Sequence, residues 1–256
     1  MNLASFQAQL KTKHLGQPCL FLDEVGSSND EAFTQYENTH QLGLVVFARQ
    51  QTKARGRLGR RWHTEVDKAL AVSIVLSPPI ELKYWSQLTL LAGLALQQTL
   101  VSFAPDAKLK WPNDILIHGS KVAGILTESR MCADQHVMVI GIGINLIEPS
   151  QGWPKDIQQA VTDLKTHAVQ AVDQQALSVM LLQKLDHWYD QYLQHGFAAI
   201  QQPWWEAHYA SYQKVRAYHE DQYIEGIAAG LDHDGCLLLQ TNEKLCRILS
   251  GEVQVL

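Results

Sequence analysis

The chain holds only 4 cysteines in 256 residues (Cys19, Cys132, Cys236 and Cys246), and none are spaced as CxxC or another metal-ligand pair. That spacing argues against a zinc scaffold and a disulfide framework, and predicts reduced, semi-buried thiols in a cytoplasmic protein. The 11 histidines form no HExxH-like pattern, so a histidine metal site has no support. The opening residues, MNLASFQAQLKTKH, lack the apolar core of a signal peptide. The longest uncharged run, residues 84–105, is interrupted by Ser86, Gln87, Thr89, Gln97, Gln98 and Thr99. It reads as a mostly buried helix starting near Ser86 and not as a membrane span. Internal repeats, low-complexity tracts and Gly/Ser linkers are also missing.

What remains is an ordinary globular composition, 46% hydrophobic and 18% charged. LFLDEV (20–25), LGLVVFARQ (42–50), ALAVSIVL (69–76) and HVMVIGIGINL (136–146) read as strands. Ser28 and Glu31 have capping-box spacing at a helix start. LKWPNDILI (109–117), a turn at His118-Gly119-Ser120 and KVAGILTES (121–129) read as a hairpin, bent near its start by Pro112. Residues 173–195 carry apolar groups at helical spacing and end at Gly196. After Tyr209 short β-like runs take over, with DHDG (232–235) as a hairpin turn. The short strand connections predict an α/β chain of the α+β type, with a mixed, largely antiparallel sheet and flanking helices. Two units are expected: residues 1–208, and a small all-β module over 209–256 docked on them.

Formal net charge is -5, yet Arg49, Lys53, Arg55, Arg57, Arg60 and Arg61 fall within 13 residues that contain no acid. Gly56 and Gly59 let this loop approach a ligand, and its guanidinium forks suit phosphate or carboxylate oxygens. Nucleic acid would use the same groups, although no basic domain or recognition helix accompanies them. A solvated basic loop without a ligand is the plain alternative. Lys110, Asn113 and Asp114 stand as polar groups in an apolar segment, where a Pro-Asn-Asp turn would also explain them. Lys121 by itself reads as a solvated strand end, and Ser27, Ser28 and Asn29 as helix caps. GIGIN (141–145) lacks the third glycine of a dinucleotide fingerprint; its alternating glycines point to close approach by a ligand or another backbone.

In this order and spacing the five segments resemble the biotin–protein ligases: an SxN-type segment, a GRGRxGRxW-type loop, KWPND, KxxGIL and GIGIN. The resemblance covers nearly the whole chain. It departs at Ala54, where the family usually has glycine, and at Ser28, where many members have threonine. It implies a catalytic domain related to those of class II aminoacyl-tRNA synthetases, followed by a small C-terminal β-barrel. It implies biotin and ATP as substrates, with Mg2+, and a biotin carboxyl carrier protein of acetyl-CoA carboxylase as partner. In this reading Lys121, Arg55 and Asp114 are catalytic. Ser27, Ser28, Asn29, Gln51, Arg55, Gly56, Arg57 and Lys121 bind biotin. Arg57, Arg60, Trp62, Lys110, Asn113, Asn145 and Trp153 bind ATP, and Asp114 lies beside a magnesium ion. The basic loop, residues 52–61, is expected to order over the ligands. Repressor members carry an N-terminal helix-turn-helix domain; none is read before residue 20, so specific DNA binding is not expected, nor is a membrane role. A lipoate–protein ligase shares the chemistry and is the rival enzyme reading; a nucleic-acid-binding module is the rival from another class.

Overall fold

The computed structural model describes residues 3–63, 65–132, 134–157, 159–219 and 222–256. α1 (Leu3–Gln9) leads to β1 (Cys19–Val25), α2 (Ser28–Thr39), β2 (Val45–Gln51) and β3 (Ala69–Leu76). α3 (Gln87–Leu100), β4 (Ala107–Lys110), β5 (Asp114–Ile117), β6 (Ser120–Cys132) and β7 (Gln135–Asn145) follow. Then come α4 (Leu164–His167), α5 (Gln174–His195) and α6 (Ala198–Ala207). The chain ends with β8 (Lys214–His219), β9 (Gln222–Leu231), β10 (Leu237–Gln240), β11 (Leu245–Ile248) and β12 (Val253–Val255).

Seven strands form one sheet in the order β1-β2-β3-β7-β6-β5-β4. Only β1 and β2, joined through α2, run parallel; the other neighbours are antiparallel, as the short connections predict. All eight residues of β3 are buried, which accounts for its unbroken apolar run at the sheet centre. Side chains alternate across the sheet: Val45 and Phe47 face the large core under α3 and α5, while Val46 meets Ala32, Phe33 and Tyr36 of α2. The sheet therefore lies between two helical layers.

Several local expectations change. The sequence reading did not anticipate α1, α4 or α6, the last of which contains Pro203. LKWPNDILI is two strands, because Pro112 falls in the turn between β4 and β5, which pair with each other. The next turn is His118-Gly119 alone, both at positive φ, the form that a two-residue hairpin favours; Ser120 already belongs to β6. The capping box does not form. Ser27 is the N-cap of α2 without a side-chain bond, the Ser28 hydroxyl pairs with Ser73, and Glu31 accepts from Gln35.

The buried carboxylate of Asp186 on α5 accepts the backbone N–H groups of Lys13, His14 and Leu15 at 2.6–3.0 Å, tying the N-terminal segment to the helical layer. β8 to β12 build a second, antiparallel sheet in the order β11-β10-β9-β8-β12, with β11 and β12 at its edges. Its inner residues Val215, Leu237, Leu239 and Ile248 continue the main core. Three side chains bond to backbone in or beside the β9–β10 turn: Gln87 to the His233 carbonyl, Trp111 to Gly235 and Gln201 to Leu231. Among the described residues no helix is long and apolar enough to cross a membrane.

At the junction of the two sheets His208 is 4% exposed and stacks on Trp204 and Trp205, with ring centroids 5.2 Å away in each case. Neither ring nitrogen has a hydrogen-bond partner, and burial pushes the imidazole down to about 3. The unfolded chain takes up a proton here near pH 6.5, and the folded chain only near pH 3. This contribution to stability is therefore complete above about pH 6.5 and is lost as the pH falls toward 3. We expect His208→Phe to flatten the decline in thermal midpoint between pH 7 and pH 4.5. Equal slopes in the two proteins would show that another group controls it.

Candidate active site

The basic loop leaves the end of β2 and returns under its own start. Thr52 N–H bonds to the Val25 carbonyl, Lys53 to Gly26 and Trp62 to Ala54. Between them Arg57–Gly59 form a short 3-10 turn, with Leu58 at φ 56 and 83% exposed. A left-handed leucine costs about 1–2 kcal/mol, so the loop tip is strained as well as solvent-facing.

This loop walls a cleft of about 400 Å³. All fifteen residues expected at the site line it: Ser27, Ser28 and Asn29 from the start of α2; Gln51, Arg55, Gly56, Arg57, Arg60 and Trp62; Lys110, Asn113 and Asp114; Lys121; and Asn145 and Trp153. Segments far apart in sequence thus meet at one place.

The floor is the glycine face of β7. A Cβ on Gly141 would fall 2.3 Å from Asn29 Oδ1, and one on Gly143 would fall 2.6 Å from the Trp62 ring. The close approach anticipated at GIGIN is therefore made by two side chains of the site itself. Beside the floor, a bulge at Val122 shifts the pairing of β6 with β5, so that Ile115 faces Ala123 and Leu116 faces Lys121. The Lys121 ammonium comes to lie 3.1 Å from the position a Gly124 Cβ would take. It pairs with Asp114 at 2.7 Å, both side chains being under 15% exposed, and stands 5.5 Å from the Trp62 ring centroid.

The loop arginines differ in what holds them. Arg55 lies between two carboxylates: Asp30 takes NH1 and NH2 at 2.6 and 2.8 Å, and Glu128 takes Nε and NH2 at 3.0–3.1 Å. Arg130 also reaches Asp30, at 2.5 Å. The Arg55 hydrogen bond, reinforced by Arg130, holds the Asp30 carboxyl down at about 2, while the two carboxylates push Arg55 further up. Arg57 donates to Asn113 Oδ1 at 2.9 Å. Arg60 pairs with Glu252, which together with Tyr218, Tyr223 and Gly251 brings the second sheet to the cleft. Asn145 donates to the Thr162 carbonyl, and the half-buried Trp153 also lines the cleft.

Six cations line the cleft against two carboxylates, Asp114 and Glu252, so its chemistry favours a polyanion. It does not fit a resident metal. Asp114 is taken by Lys121 and Asn113 Oδ1 by Arg57, and the one cluster of three or more potential ligands among the described residues is Asp232, His233 and Asp234 in the second sheet. Sequence reasoning missed Asp30, Ser73, Glu128, Arg130 and Glu252. Glu128 closes the KVAGILTE run, and its place there was the available signal; Ser73, inside an apolar strand, carried none.

Residues 25–145 match the biotin/lipoate A/B protein ligase family, and residues 213–256 match the biotin protein ligase C terminal domain. The bifunctional ligase/repressor BirA of Bacillus subtilis is 34% identical over 248 residues, which are 96% of this chain and 76% of that protein. The biotin–[acetyl-CoA-carboxylase] ligase of Paracoccus denitrificans is 32% identical over 200 residues, 76% of this chain and 83% of that one. Among solved structures, the Aquifex aeolicus biotin protein ligase in complex with biotin and ATP superimposes with a TM-score of 0.77 at 27% identity, covering 93% of this chain and 98% of that one. With its cation-lined cleft, its glycine floor and both parts of the chain matched, this protein belongs to the biotin–protein ligase family.

Proposed function

We infer that the cleft activates biotin with ATP to biotinyl-5′-AMP and passes the biotinyl group to one lysine of a biotin carboxyl carrier protein. The observation that carries this reading is the convergence of the basic loop, the Lys121–Asp114 pair and the glycine floor on one cavity. In the first step a biotin carboxylate oxygen bonds to the α-phosphorus and pyrophosphate leaves. Two unit negative charges 4 Å apart repel by about 4 kcal/mol at an effective dielectric of 20, so cations must already stand at the meeting point. Lys121 is fixed there by Asp114, which keeps its ammonium aimed across Gly124. Arg57 and Arg60, held by Asn113 and Glu252, take the phosphates by exchanging those partners for phosphate oxygens. Arg55, already bonded to two carboxylates, keeps the loop base on the biotin side. In the second step the carrier lysine amine attacks the acyl carbon and AMP leaves, with Asp114 orienting the incoming amine. Magnesium enters this reading only as an ion borne by the triphosphate, and no step is assigned to it.

Residues 1–208 then form the catalytic unit, and residues 209–256 supply a wall of the cleft through Glu252. Four buried, unpaired cysteines agree with work in the cytoplasm. The match of residues 213–256 to the biotin ligase C-terminal domain favours biotin over lipoate.

The test is to incubate the protein with radiolabelled biotin, ATP, magnesium and a biotin carrier domain. Label should appear on the carrier; label from lipoate instead, or none, would overturn the reading. Lys121→Ala should slow single-turnover pyrophosphate release by roughly a hundredfold, the usual cost of losing one such charge contact, while ATP binding persists. Release at the wild-type rate would remove Lys121 from the chemical step.

The loop bonds narrow the expectation of mobility. Residues 52–55 and 62 are tied to the body, so ordering over ligands belongs to residues 56–60. Amide exchange there should slow on adding biotin and ATP, and Arg57→Gly should release the adenylate faster than wild type. Unchanged exchange, with an unchanged release rate, would mean that the tip does not close over the intermediate.

A further inference from the structure

The cleft wall that carries Trp153 has little structure of its own. Between β7 and α4 the described residues form neither helix nor strand, apart from a single bridge of Val161 to Lys121. The ends of this segment are held by backbone. Leu146 and Ile147 N–H groups share the Lys68 carbonyl at 2.9 and 3.0 Å, and Thr162 N–H donates to the Lys121 carbonyl at 2.9 Å. Its middle is held by a side chain. The Glu65 carboxylate accepts the Ser150 backbone N–H at 2.9 Å on one oxygen and the Ser150 hydroxyl at 2.5 Å on the other. These bonds, the hydroxyl's first, keep the Glu65 carboxyl below its ordinary range, so it is an ionised acceptor at neutral pH. Nearby, His63 Nε2 stands 4.0 Å from Asp156 Oδ2 of the same segment. Glu65 has a fixed footing. It opens a turn closed by Lys68 N–H on the Glu65 carbonyl, and Asp67 in that turn takes Arg49 of β2 through Nε and NH2 at 2.9 and 2.7 Å. The turn also carries the chain from the basic loop into β3, so two walls of the cleft share one anchor.

We propose that Glu65 is a positioning residue: through Ser150 it sets the wall at residues 147–157, and Trp153 with it, in place for the nucleotide. Glu65 and Ser150 lie outside the lining of the cleft, whereas Trp153 and Ile157 belong to it, so Glu65 acts on a ligand only through the wall. This rests on the reading in which Trp153 meets ATP, and deepens it by naming what prepares that part of the site. Fixing an irregular segment costs conformational entropy, and a wall already fixed spares the incoming ligand that cost. Loss of Glu65 therefore weakens ATP and leaves biotin alone.

Glu65→Ala removes both bonds to Ser150 and leaves the lining of the cleft unchanged in composition. Amide exchange across residues 147–157 of the ligand-free protein should become faster than in the wild type. The KM for ATP should rise about tenfold, the scale of one or two lost hydrogen bonds, with the KM for biotin within about twofold. Glu65→Gln keeps an oxygen for the Ser150 N–H and offers its NH2 to the hydroxyl, so it should restore both readouts. In a Trp153→Ala background Glu65→Ala should raise the KM for ATP little further, because its effect passes through that wall. If the wild type forms no biotinyl-AMP, the functional reading fails, while the exchange comparison still decides whether Glu65 holds the wall. If the wild type is active but Glu65→Ala leaves exchange and the KM for ATP unchanged, or raises the KM for biotin equally, the inference alone is wrong.

Discussion

The Arg55 guanidinium, held between Asp30 and Glu128, joins the start of α2, the base of the basic loop and the middle of β6. Each partner lies in a different element, and the pairs span 25 and 73 residues of sequence. Exposed ion pairs contribute little to stability, but these bonds converge on one planar group and each carboxylate has a second cationic or amide partner. Their main consequence is geometric. Swinging the loop base out would break the bonds of Arg55 to both carboxylates, so any closing motion is confined to the strained tip around Leu58. The same bonds direct Glu128 toward Asn29, linking the loop anchor to the hydrogen bonds that reach Ser28.

The glycines of β7 supply the second constraint. Sheets normally cover both faces with side chains; here Gly141 and Gly143 leave a trough into which Asn29 and Trp62 descend to the backbone. Gly143 pairs across the sheet with Gly124, whose missing side chain gives Lys121 its place. The β6 bulge completes this arrangement, since strict alternation would set residues 121 and 124 on opposite faces. The site is therefore carried by three adjacent central strands and not by loops alone, which suits chemistry that needs a fixed meeting point for two anions.

The second sheet is part of that geometry. It is docked through Gln87, Trp111 and Gln201 against the β9–β10 turn, which is itself braced by Arg247 on Asp232 and Asp234. From that footing Glu252 reaches Arg60, so the loop tip is held from outside as well as from beneath.

The sequence by itself determined the central strands and α5, because apolar runs and 3.6-residue spacing are local signals. It also singled out fifteen residues that the fold brings to the lining of one cleft, because their motifs, taken in order, resemble one family. Even so, it could not assign partners to them. Whether Arg55 faces a ligand or two carboxylates depends on contacts across 25 and 73 residues, and no local pattern encodes such a distance. Ser73 in ALAVSIVL is indistinguishable from a tolerated small residue until Asn29 is seen above it. Likewise α6, with its internal Pro203, is held by packing of Ile200, Trp204 and Trp205 into the core and not by helix propensity. Residue type and spacing set which groups line the cleft; tertiary packing decided which partner each one meets, because those partners come from distant parts of the chain.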